Sequence, residues 1–204
     1  MKRFILLAIA TMILSSCGLF KVTTYSTSLV SVESPANAKE KYGETKIVTT
    51  SENDISKYTY EDDFISIVWY ISRKQLNFVL TNKSGFSIKL PWDEMAYVNE
   101  RGQSMRVIHQ GVKLIDRNSS QAPTVVAKNA SLDDLLIPSD NIYYVSGKYG
   151  GWEEKNLFPS YSSQEEANNS PALGKTVRVV FPIIIQDVTN EYIFEFSVDS
   201  VSVK

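Results

Sequence analysis

The chain has 204 residues, with 21 basic and 23 acidic side chains, one histidine, one cysteine and a formal charge of −2. Such a balance lacks the clustered positive field that a phosphate backbone requires, so nucleic acid is excluded as a partner. One histidine and one cysteine also exclude zinc centres built from several imidazoles or thiolates, and no cofactor is expected.

Residues 1–16 carry the parts of an export signal: Lys2 and Arg3, an apolar run from Phe4 to Leu14, then Ser15 and Ser16. The run is too short for a membrane span, which takes about 20 residues. Leu14-Ser15-Ser16-Cys17 resembles the lipobox of bacterial lipoproteins. The resemblance implies cleavage before Cys17, a diacylglycerol on its sulfur and attachment to the bacterial cell envelope. Gly18 in place of an aspartate implies the outer membrane in a Gram-negative host. Each buried CH₂ of the acyl chains adds about 0.8 kcal/mol, so two chains hold where one does not. Loss of Lys2 and Arg3 leaves 19 basic residues against 23 acidic, a charge near −4.

Residues 17–60 read as a lipidated start followed by a polar tether. Thr23-Thr24-Tyr25-Ser26-Thr27-Ser28 and Ser34-Pro35-Ala36-Asn37-Ala38-Lys39-Glu40-Lys41 hold few large aliphatic residues. A flexible tether of this length sets a domain roughly 35 Å from its anchor. β-branched residues between Ser28 and Val32 and between Lys46 and Thr50 leave short strands open there.

From Tyr60 the apolar period becomes two, and residues 61–204 read as one all-β domain. Phe64 to Ile71 is a near-continuous apolar run, as in a strand buried on both faces. Leu76, Phe78 and Leu80, then Phe86, Ile88 and Leu90 beyond Asn82-Lys83-Ser84-Gly85, predict a hairpin. Met95 to Val98 and Ser104 to Ile108 predict another around Gly102. Further strands are predicted at Val112 to Ile115, Thr124 to Ala127, Leu132 to Ile137 and Ile142 to Val145. Ser162 and Glu165 have capping-box spacing for one short helix ending near Asn168. Val177 to Ile185 leads through a loop over residues 186–191 into the alternating Tyr192, Phe194, Phe196 and Val198. Pro182 places the first of these strands at an edge or gives it a bulge.

Phe78-Val79-Leu80-Thr81-Asn82-Lys83-Ser84, Tyr97-Val98-Asn99-Glu100-Arg101-Gly102 and Val125-Val126-Ala127-Lys128-Asn129-Ala130-Ser131 together resemble small immunoglobulin-like domains of exported bacterial lipoproteins. The resemblance covers residues 64 to 145. It implies an antiparallel immunoglobulin-like β-sandwich in the envelope and brings no catalytic residues with it.

The residues themselves offer little chemistry. His109 lacks a G-x-S-x-G elbow anywhere in the chain, so a hydrolase using His109 with a carboxylate is the second alternative to a non-enzymatic role. Gly174-Lys175-Thr176 precedes a predicted strand and has Asn169 where a phosphate loop needs its earlier glycine. The pairs Asp62-Asp63, Asp93-Glu94, Asp133-Asp134 and Glu153-Glu154 lack the spacing of a calcium loop. Tyr149, Trp152 and Phe158, beside Gly150 and Gly151, are the candidate ligand-binding residues, since exposed aromatic faces suit a sugar ring or a protein groove. The expectation is a membrane-anchored envelope lipoprotein with a structural or protein-binding role. A carbohydrate-binding module at Trp152 is the first alternative.

Overall fold

The computed structural model describes residues 21–33, 45–52 and 55–204. The export signal, Cys17 and the stretch from 34 to 44 lie outside them. Fourteen strands are described: β1 (Thr23–Glu33), β2 (Lys46–Glu52), β3 (Ile55–Glu61), β4 (Ile65–Ile71), β5 (Leu76–Asn82), β6 (Ile88–Leu90), β7 (Ala96–Val98), β8 (Ser104–Ile108), β9 (Thr124–Val126), β10 (Ser131–Pro138), β11 (Ile142–Val145), β12 (Gly151–Glu154), β13 (Thr176–Ile185) and β14 (Val188–Val203). One short α-helix among the described residues, α1, runs Gln164–Asn168. All described pairings are antiparallel, in the order β1-β14-β13-β7-β8-β10-β5-β4-β3-β2, with β6 on β13 and β9 on β6. β11 and β12 form a separate two-stranded ribbon.

The described residues of the expected tether lie in this sheet, and β1 and β2 cover the two places, Ser28 to Val32 and Lys46 to Thr50, where the sequence leaves short strands open. β1 pairs with β14 along its length, β2 pairs with β3, and β3 pairs with β4. Ser and Thr fill β1, yet Thr23 and Thr27 are buried like core residues. Each does so with its hydroxyl satisfied: Tyr161 N donates to Thr23 Oγ1 at 2.8 Å, and Thr27 Oγ1 lies 2.9 Å from Tyr58 Oη. A buried hydroxyl with a partner avoids the desolvation cost that keeps polar residues outside.

The core is aromatic. Trp69 of β4 is fully buried and meets Phe78 (5.2 Å), Phe181 (5.5 Å) and Phe194 (5.2 Å) between ring centres. These rings come from β5, β13 and β14, which joins elements distant in the sheet order. β4 itself is buried on one face only: Ile65, Ile67 and Trp69 are inside, while Ser66, Val68 and Tyr70 are half-buried.

Several expected connections are different. β5 and β6 are not a hairpin, for β5 lies between β4 and β10 while β6 pairs with β13 and β9. Asn82 makes the corner between them. Its fully buried Nδ2 reaches the carbonyls of Phe86 (2.7 Å), Val126 (3.1 Å) and Ala127 (3.1 Å), and its Oδ1 accepts from Ser84 N at 3.0 Å. Phe86, expected inside, is left exposed. Residues 112–115 hold no strand; a 3₁₀ turn occupies Leu114–Asp116. The β7–β8 hairpin forms as expected, and Asn99 Oδ1 accepts from Arg101 N and Gln103 N across its loop.

β13 is an interior strand, without a bulge against β14, so Pro182 does not mark an edge. On its other side β7 pairs with residues 178–180 and β6 with residues 184–185. Pro182 falls in the gap between those two partners, where the missing N–H interrupts no ladder. The β13–β14 turn is two residues, not six, with Gln186 and Asp187 both at positive φ, the geometry that matches strand twist. The helix cap is shifted by one: Ser163 Oγ accepts from Glu166 N, and Glu166 accepts in turn from Ser162 N and Oγ.

Candidate functional site

His109 lies flat on Trp92, with ring centres 4.1 Å apart and planes 2° from parallel. Its Nδ1 is 3.3 Å from Asp134 Oδ2, so a carboxylate does stand beside the imidazole. The other Asp134 oxygen accepts from Gln110 N (2.8 Å) and Leu135 N (2.7 Å), which ties the carboxylate to the backbone. Among the described residues the only side-chain hydrogen-bond partner of the His109 ring is Asp134. Acyl transfer needs a nucleophile in reach of such a pair as well. Among the described residues no group of three or more His, Cys, Asp or Glu could hold a metal ion, and no helix is long and apolar enough to cross a membrane.

The three aromatic candidates are spread over different surroundings. Tyr149 is 90% exposed at the tip of the β11–β12 turn. The turn is tight: a Cβ on Gly150 would sit 2.0 Å from Val145 O, which only glycine avoids. Trp152 is in β12 opposite Tyr144, with ring centres 5.5 Å apart, and Arg117 caps its face at 4.7 Å. Its indole covers a small apolar cluster of Ile108, Ile137 and Ile142. Phe158 is buried in the main core, its ring centre 4.8 Å from that of Tyr25. Exposed Tyr149 and half-buried Trp152 therefore share a ribbon, and Phe158 belongs elsewhere.

Phe158 lines a cleft of about 390 Å³, inside the range of roughly 300–1,000 Å³ usual for small-molecule sites. Its walls come from β1, β3, the residues following β4, the 156–160 segment and β14. Two properties of the sequence build it. Thr23, Tyr25 and Thr27 alternate with Thr24 and Ser26, so both faces of β1 present hydroxyls. Pro159 then brings its segment back over β1, where Tyr25 Oη donates to Pro159 O at 2.9 Å and shares a 3.2 Å contact with Ser170 Oγ. Leu157 N donates to Arg73 O at 2.8 Å, fixing the same segment to the end of β4. A second, more polar hollow of about 710 Å³ lies beyond this segment, around Tyr97, Glu100 and Tyr143.

Burial pushes the Tyr25 phenol up to about 12. An unfolded tyrosine loses its proton near pH 10. Between those values the folded chain holds a proton that the unfolded chain has released, so stability falls as pH rises through the window. Urea unfolding at pH 9 and pH 11 is expected to show this loss, reduced in Tyr25→Phe. Equal declines in the two proteins would remove Tyr25 as a source.

Sequence reasoning placed the cleft residues of β1 in a tether. The signal was present in the period-two spacing of Thr23, Tyr25 and Thr27, which hydrophobicity alone hides. No family model, curated protein or solved structure matches the chain.

Proposed function

We propose that this protein is a lipid-anchored lipoprotein of the bacterial cell envelope, in the outer membrane if the host is Gram-negative, that binds a partner and catalyses no reaction. The cleft at β1 is the observation that carries the binding role. Support for the anchor is the lipobox-like Leu14-Ser15-Ser16-Cys17. β1 starts at Thr23, six residues after Cys17, and six residues of chain reach at most roughly 20 Å. The cleft then opens close to the lipid surface, within reach of envelope glycans and of proteins held in the same leaflet. A non-catalytic role is supported by His109, whose ring is engaged by Trp92 and Asp134. An immunoglobulin-like sandwich is our reading of the sheet, supported by its antiparallel pairing and by Trp69 packing across to β13 and β14.

The anchor is tested by Cys17→Ser. Wild-type protein is expected in the membrane fraction with palmitate label incorporated, and the variant is expected to be unlabelled and released. Unchanged membrane attachment of the variant overturns lipidation.

A further inference from the structure

We propose that the cleft between β1 and β3 binds an acidic saccharide, a sugar carrying a single carboxylate. The inference rests on the binding role proposed above and names its ligand. None of the described residues lining the cleft is Asp or Glu, and Arg73 is the one charged residue among them. Among the described residues nothing forms an ion pair or side-chain hydrogen bond with the exposed Arg73 guanidinium. A guanidinium left open to a ligand takes a carboxylate through two parallel hydrogen bonds.

The remaining wall suits a sugar. Thr24, Ser26, Ser200 and Ser202 face one another across the β1–β14 pair, in the register Thr24 with Ser202 and Ser26 with Ser200. Hydroxyls both donate and accept, so they match ligand hydroxyls of either orientation. Half-buried Tyr25, backed by the buried Phe158 ring at 4.8 Å, supplies the apolar surface that the C–H face of a sugar ring needs. Among the lining residues one arginine and no lysine balance one negative charge, Lys74 being its neighbour in the chain but not part of the lining. A phosphate monoester carries close to two near neutral pH, and the net negative chain repels a polyanion.

The test titrates the full-length protein in detergent with a glucuronate-containing tetrasaccharide, a neutral tetrasaccharide of glucose, and glucose 1-phosphate. The acidic tetrasaccharide is expected to bind best, and Arg73→Gln to weaken it about 10- to 100-fold, down to the neutral sugar. Ser26→Trp, at an exposed position of the cleft, is expected to abolish binding of both tetrasaccharides. Thermal melts of the two surface variants should match wild type. Failure of the acidic tetrasaccharide to bind, or unchanged affinity in either variant, overturns the assignment. Tighter binding of the phosphate sugar transfers the anion to phosphate and overturns the carboxylate. Equal binding of acidic and neutral sugars that Ser26→Trp abolishes defeats the acidic preference alone and leaves the binding role standing.

Discussion

Trp69→Ala is expected to lower the unfolding free energy by about 3–5 kcal/mol, the usual cost of removing a large buried aromatic side chain. The indole is wholly enclosed and touches rings from β5, β13 and β14, so truncation opens a void where distant parts of the sheet meet. Trp69→Phe is expected to cost much less. Trp69 Nε1 has no hydrogen-bond partner among the described residues, and a buried orphan donor is itself unfavourable by about 1–3 kcal/mol. Phenylalanine removes that donor while keeping most of the ring contact. Urea unfolding followed by far-UV circular dichroism separates the two variants. An alanine protein within 1 kcal/mol of the phenylalanine protein would mean that Trp69 does not hold the sheet together.

Asn82→Leu should be nearly as damaging, by about 3–5 kcal/mol, although leucine has a similar size. The loss comes from groups left behind: the buried Val126 carbonyl loses its side-chain donor and the buried Ser84 N loses its acceptor, while the less buried Ala127 carbonyl keeps Ala130 N. Each stranded group costs about 1–3 kcal/mol, and such costs add incompletely. The damage should be local as well as global. Amide exchange in β6 and β9 is expected to speed up before that in β4 and β5, because Asn82 fastens the first pair to the second. Uniform acceleration across the sheet would show that the corner has no separate role.

Apolar runs and period-two alternation placed β4, β5, β8, β10 and β13 within a residue or two and found the middle of β14, which starts four residues earlier than expected and runs on to Val203, because a buried face repeats wherever a strand lies on a core. It could not assign neighbours. The Asn82–Gly85 segment reads as a hairpin turn by composition, yet the same residues make a corner, and what decides is the three carbonyls that Asn82 finds 4 and 44 to 45 residues away. β1 was hidden for another reason: its buried positions are threonines, made tolerable by Tyr161 and Tyr58, and those partners come from distant parts of the chain. The candidate site followed the same division. Aromatic residues near glycine were visible in the sequence, whereas the cleft depends on Pro159 returning over Tyr25, a contact spanning 134 residues.

That span has a consequence for the order of events during synthesis. Ser28 of β1 donates to Asp199 of β14, 171 residues later, and Val22 and Lys204 exchange backbone hydrogen bonds at 2.8 and 3.0 Å. At about 5–20 residues per second, β1 waits roughly 10 to 30 s for its neighbour to be made. During that time its edge is open, and its serines and threonines keep it soluble. The cleft lacks the Ser200 and Ser202 part of its wall until β14 arrives. A ligand held there therefore distinguishes molecules that have closed their sheet from those still being assembled.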